Sequence, residues 1–501
     1  MKSATRQTTT HPAPRPVLRR WVLGVVVLIQ CACASIQTPP AAPLGFDLPD
    51  TWAGRAGQAA AEPSEQWPGN QLALHQWWLR FDDPLLSRLI DQALTANTSV
   101  RGAQAALQQA RALRDVAGAS IWPSVGSSAS AGRNRNGDVT HNSFNVGLDA
   151  SWELDFFGGN RAALKAADAA AQASAATLAD VQVSLAAEVA LDYLALRSAQ
   201  ERLAIAQANL ASQQETLQLT EWRLQAGLVT SLEAAQARAS AEQTAAQIPA
   251  LQTTISQTTH ALSVLAGQAP AALTLTLSAL APVPQVAGDW ALAFPADTLR
   301  QRQDVRAAEY QVAAAAARVS QADAARLPNF KLGGSLGLSA LTTGALTDGA
   351  SVVAALLASV SWPVFDAGAS QAQLRAQQAA LAQAATVYQA AVLIALTEVE
   401  DALVALRGDR SRLLRLQNAF EAADIAASLA RQRYSSGLVD FQTVLETQRT
   451  RLSSQDSLAT ARASVSADHV RLVKALGGGW LPSQGSTPSL TDPDSPRTTV
   501  P

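Results

Sequence analysis

The chain has 501 residues, of which 48% are hydrophobic and 16% charged, with a formal net charge of −2 and two cysteines. A near-neutral balance with dispersed basic residues excludes the electrostatic footprint of a nucleic-acid-binding protein. No continuous apolar run reaches the roughly 18 residues that a membrane-crossing helix needs, so any membrane role would have to rest on strands.

In chain order, a basic stretch ending at Arg20 and a short apolar run from Trp21 to Ile29 read as a signal peptide over residues 1–32. The only cysteines follow, in Cys31-Ala32-Cys33-Ala34. They resemble a bacterial lipobox, in which the lipidated thiol becomes the new N-terminus. Cys33 is favoured because small Ala32 precedes it; Cys31, or plain cleavage after Ala32 or Ala34, is the alternative. Residues 33–70, rich in Pro, Ala and Gly, read as an extended arm.

From Pro84 the spacing of Leu85, Leu89, Ala93, Leu107 and Leu113 predicts one helix reaching Gly118. A β-hairpin over residues 122–157 follows, its polar loop remote from the helices. In its second strand Phe144, Val146, Leu148, Ala150, Trp152 and Leu154 alternate with Asn145, Gly147, Asp149, Ser151 and Glu153, giving one apolar and one polar face. After Gly158-Gly159 and an N-cap at Asn160, proline-free helix formers predict a helix over residues 160–226, roughly 100 Å long. A short connection makes the return helix, residues 231–265, antiparallel to it, with a kink at Pro249. Residues 268–297 link onward, and the alternating Leu273-Thr274-Leu275-Thr276-Leu277 suggests a small edge strand.

The same scheme then repeats. Residues 71–267 form the first copy and 298–477 the second, which has a helix, a hairpin over 328–366, a long helix over 369–434 and a return helix over 440–476. Both long helices end on one phrase, Gly227-Leu228-Val229 and Gly437-Leu438-Val439. This is a tandem duplication with a period too long for a solenoid. Residues 478–501, rich in Pro, Ser and Thr, read as a disordered tail.

Four strands with an apolar face are too few to close a barrel, so several chains must contribute. Trp122, Trp152 and Trp362 all fall at strand ends next to helices, where a membrane interface places its aromatic belt. The alternative, a soluble sheet, leaves the paired long helices without a purpose.

With these residues in view, the chain over roughly 75–480 resembles the outer-membrane efflux channel family (TolC-like), and within it the lipoprotein, NodT-type branch of multidrug efflux systems. The resemblance implies a mixed α/β membrane protein: a homotrimer sharing one 12-stranded β-barrel anchored in outer-membrane lipid, continued by a periplasmic α-barrel of antiparallel coiled-coil helices. It also implies a periplasmic adaptor (membrane fusion) protein, docked at the two Gly-Leu-Val tips, and an inner-membrane pump. In the family, acidic residues past the second turn narrow the entrance; Glu446 matches one position and Thr443 stands at another. Three Glu446 carboxylates in a ring would favour cations, whereas the plain alternative is an exposed helical carboxylate. Tyr434 and Glu233 match two partners of a tip latch, but Val439 occupies the place of its arginine, and packing is the alternative for Tyr434.

No cofactor or metal is implied, since His11, His75, His141, His260 and His469 are scattered. Gly333-Gly334-Ser335-Leu336-Gly337 imitates a nucleophile elbow but lies inside an alternating strand, so an enzyme is not expected. The competing readings are an exit duct for type I protein secretion and a poreless periplasmic scaffold lipoprotein.

Overall fold

The structure, a computed structural model, describes residues 76–286 and 301–478. The expected signal peptide, Cys31 and Cys33, the arm and nearly all of the tail lie outside the described residues. After a 3-10 turn (Trp77–Phe81), α1 (Pro84–Ala96) is capped by Asp83, whose carboxylate accepts from the Leu85 and Leu86 amides at 2.8 and 3.0 Å. The helix expected to run unbroken to Gly118 is two helices. Asn97 adopts an extended conformation and caps α2 (Thr98–Ala119) through the Ser99 amide at 2.8 Å, while its Nδ2 donates to the Leu265 carbonyl at 2.9 Å. An asparagine that can bond locally competes with the helix at such a position.

Strands β1 (Ser124–Asn136) and β2 (Val139–Leu154) lead to α3 (Gly159–Gln225), α4 (Ser231–Leu265) and a one-turn α5 (Thr274–Leu277). The second copy gives α6 (Gln303–Ala324), β3 (Asn329–Ala340), β4 (Val352–Ser361), α7 (Ala369–Ser435) and α8 (Phe441–Ala475). The duplication is exact in helix length: α2 and α6 have 22 residues each, α3 and α7 67, α4 and α8 35. Two expectations are corrected. The N-cap of α3 is Gly158, with φ of 78°, and Asp155 captures the Asn160 and Arg161 amides from outside the helix. The Leu-Thr repeat is α5 rather than a strand: Leu273 and Leu277 are buried, while Leu275, which a strand would place on the same face, is 89% exposed. Pro249 lies inside α4, which continues as one element.

The four strands form one antiparallel sheet in chain order, so the copies meet at β2–β3. Directly opposed residues share a face. Val146, Leu148 and Trp152 oppose Leu338, Leu336 and Leu332, which in turn oppose Val352, Ala354 and Ala358. Across β2, β3 and β4 this face is therefore apolar, and it is open in the single chain; on β1 it carries Val125, Ser127 and Ala129. The main core lies elsewhere, at mid-height of the helices. There Trp77, Ile90, Tyr193, Leu262, Leu277 and Leu472 belong to one buried cluster drawn from both copies.

Candidate functional site: membrane rim and helical tips

The rim is built twice by the same device. The Trp152 indole N–H donates to the Ile121 carbonyl at 2.9 Å, and that of Trp362 to the Arg326 carbonyl at 3.1 Å; each tethers a strand end to the segment that follows α2 or α6. Trp122, Trp152 and Trp362 are exposed, as are Phe156 and Phe365, which follow Trp152 and Trp362 in sequence. An amphipathic ring with one satisfied polar end and an open apolar body suits a lipid–water boundary.

Both long helices end in a Schellman turn. At the first, the Leu228 amide bonds the Arg223 carbonyl at 2.8 Å and the Gly227 amide the Leu224 carbonyl at 2.9 Å; at the second, Leu438 bonds Arg433 at 2.9 Å and Gly437 bonds Tyr434 at 3.0 Å. The motif needs a left-handed residue, and Gly227 and Gly437 supply φ of 68° and 72°. In the usual motif the residue after glycine packs back on its helix. Here Leu228 and Leu438 are each 74% exposed, while Val229 and Val439 are half-buried.

The return helices are capped by different means. The Thr230 amide donates to Glu233 Oε2 at 2.7 Å, whereas Asp440 accepts from the Thr443 amide at 2.9 Å and from its hydroxyl. Glu233 and Thr443 are thus cap partners, a role that the Thr-x-x-Glu and Asp-x-x-Thr spacings could have disclosed. Tyr434 is brought not to Glu233 but to Arg223, whose guanidinium lies 4.8 Å from its ring centre, and to Phe441. Its hydroxyl is buried and has no partner among the described residues. Glu446 is exposed on α8 beside Gln442, Thr443 and Arg449, while Phe441, Val444, Leu445 and Gln448 of the same turns are buried.

Sequence spacing could not reveal the clamps above the tips. Arg202 on α3 grips Asp456 on α8 with two bonds of 2.6 and 3.1 Å, and Arg451 on α8 binds both Asp424 on α7 and Asn209 on α3. At mid-height Arg302 joins Asp304, Glu398 and the Ala475 carbonyl. Burial would raise the Asp304 carboxyl, but the Arg302 pair outweighs it and holds it below the usual range. Burial, helped by its hydrogen bond to Asp83, pushes the Tyr193 phenol up to about 12.

The profile describing outer membrane efflux proteins matches residues 89–268 and 294–478, one segment for each copy. The pyoverdine export outer membrane protein OpmQ of Pseudomonas putida is 34% identical, over 90% of this chain and 95% of its own. The solvent efflux pump outer membrane protein SrpC of Pseudomonas putida is 33% identical, over 85% of this chain and 95% of its own. Among solved structures, the outer-membrane channel OprN superposes with a TM-score of 0.80 at 36% identity, covering 87% of this chain and 98% of that one.

Proposed function

The chain belongs to the outer membrane efflux protein family, and on that premise we propose that the Gly-Leu-Val tips are the surface on which a periplasmic adaptor docks the channel onto an inner-membrane pump. The protein is the outer-membrane efflux channel of a tripartite system; its four strands are one third of a trimeric 12-stranded barrel, and its long helices continue the tube. Relatives named for the export of pyoverdine and of solvents favour small-molecule cargo.

The observation that carries the docking assignment is the pair of leucines, Leu228 and Leu438. Two turns of identical geometry each turn a large apolar side chain away from the helix that made it. A solvated leucine at a rigid turn gains by burial against a partner, about 1.5–3 kcal/mol each. Glu446 lies one to two turns above the second tip, and a threefold ring of it is the proposed constriction. Cys33, with Cys31 as the alternative, is the proposed lipid anchor, on the lipobox-like Cys31-Ala32-Cys33-Ala34 and the small Ala32 that precedes it.

Leu228→Glu together with Leu438→Glu tests the docking surface. Purified trimer should survive, and crosslinking to the adaptor should fall at least tenfold. Crosslinking at the unmodified level removes the assignment. Glu446→Gln should lower cation selectivity in planar bilayers; an identical reversal potential leaves Glu446 as an exposed helical carboxylate.

A further inference from the structure

The two hairpins differ on the face that the apolar, lipid-directed residues leave to the lumen. In β2 this inner face is Asn145, Gly147, Asp149, Ser151 and Glu153. In β4 it is Val353, Ala355, Leu357 and Ser359, because these residues oppose Gly337, Ser335, Gly333 and Lys331 of β3. Val353 and Leu357 are 50% and 66% exposed. Leu356 fixes the other side: it opposes Gly334, and a Cβ built there would lie 3.8 Å from its Cδ1.

Nothing on the neighbouring strands shades these side chains. Val353 and Leu357 each oppose a glycine, and the next strand offers Gly147 and Ser151 in the same rows. Gly337 admits nothing larger, since a Cβ there would come within 2.7 Å of the Val146 carbonyl oxygen. The inward residues of β1 from Ser124 to Gly132 are all serine or glycine. The centre of the stripe, Ala355, shares its row with Ser335 and Asp149. Two strand spacings separate Ala355 from Asp149, roughly 10 Å. The Asp149 carboxylate accepts from the Ser128 hydroxyl at 3.0 Å, and among the described residues no cation pairs with it; the next luminal carboxylate, Glu153, already has Lys331 at 3.9 Å and Asn329 at 2.7 Å.

We propose that each protomer carries, on the inner wall of the barrel, a binding site for an amphipathic organic cation, with its apolar body on Val353, Ala355 and Leu357 and its positive end at Asp149. The inference rests on the channel reading above, which makes this face luminal. Shape and charge select the ligand class together. A hydrophilic ion gains nothing from the stripe, and a neutral hydrocarbon gains nothing from Asp149, whereas a molecule roughly 10 Å long with both features spans the smooth serine and glycine floor between them.

The test is thiol protection in intact cells. Leu357→Cys should react with a small membrane-impermeant methanethiosulfonate, and the lipid-directed Leu356→Cys should not. n-Octyltrimethylammonium at about four times its Kd should slow labelling of Leu357→Cys about fivefold, tetramethylammonium should leave it unchanged, and Asp149→Asn in the same chain should abolish most of the protection. Labelling unaffected by n-octyltrimethylammonium overturns the site and leaves the channel standing. Leu356→Cys labelled in place of Leu357→Cys inverts the sheet and overturns both. Should Leu357→Cys fail to assemble, Val353→Cys takes its place, and should Leu356→Cys fail, Val352→Cys on the same lipid-directed face does, each with the outcome stated for the residue it replaces.

Discussion

Four helix ends of this chain close on the same turn and live in opposite surroundings. Gly227 and Gly437 at the tips, and Gly267 and Gly477 at mid-height, all have φ between 68° and 78°, and all four carry the same pair of backbone bonds to the preceding helix. At the tips, a Cβ on the glycine would meet nothing within 4 Å. At mid-height, a Cβ on Gly267 would lie 2.6 Å from the Ala96 carbonyl oxygen, and one on Gly477 would press on Arg302 at 3.0 Å. The turn is therefore a local property of the sequence, and its task is set by what surrounds it. Where α1, α4 and the neighbouring helices converge, it locks the core. Where the chain stops at open solvent, it displays a leucine.

Substitutions can pull the two cases apart. Gly267→Ala combines a left-handed backbone, about 1–2 kcal/mol, with a clash against immovable backbone, about 1–3 kcal/mol. Denaturant unfolding of the extracted protein should show about 3 kcal/mol lost, or no folded protein at all. Gly437→Ala keeps only the backbone cost, so a loss of about 1–2 kcal/mol is expected in the same assay; equal losses at both sites would erase the distinction.

Removing the tip cap with Asp440→Ala should loosen the start of α8, read as faster hydrogen exchange of its first turn and not of its mid-height turns. The packed region should also answer to pH. Burial raises the Asp468 carboxyl against the pull of Arg471, with Asp409 adding to the rise. Its folded value lies above its unfolded one, so its ionised form weakens the fold at neutral pH and the penalty fades as pH falls through the folded value towards 3.8. Asp304, held low, does the reverse: its contribution is present above 3.8 and is lost as pH falls through its depressed value. Asp468→Asn should thus raise thermal stability at pH 8, and Asp304→Asn should lower it. The smallest stability effect belongs to Leu438→Ser, within about 0.5 kcal/mol, even though adaptor crosslinking should drop.

The parts legible in the sequence are those governed by local rules. Long runs of helix formers, glycine at C′ and period-two strands announced the duplicated scheme and the apolar sheet face, and the three tryptophans marked the strand ends next to the helices. The misreadings arose where one residue type serves two structures. Asn97 breaks a helix that its neighbours would continue. A Leu-Thr alternation five residues long satisfies helix and strand alike, and the exposure of Leu275 between the buried Leu273 and Leu277 decided for the helix. Capping by Asp155 from outside the helix hid behind the more obvious Asn160. The clamps Arg202–Asp456 and Arg302–Glu398 join residues 254 and 96 apart, a distance over which no spacing rule operates. The tip leucines were visible as a motif, but their exposure was not.

The most direct test of the account is the sidedness of the two ends. Asp138→Cys, in the β1–β2 loop, and Leu438→Cys, at the second tip, should be treated with a bulky impermeant maleimide in intact cells and again after the outer membrane is permeabilised. The account predicts labelling of Asp138→Cys in both conditions and of Leu438→Cys only in the second. Labelling of Leu438→Cys in intact cells, at the rate seen for Asp138→Cys, would contradict a channel whose tips face the periplasm.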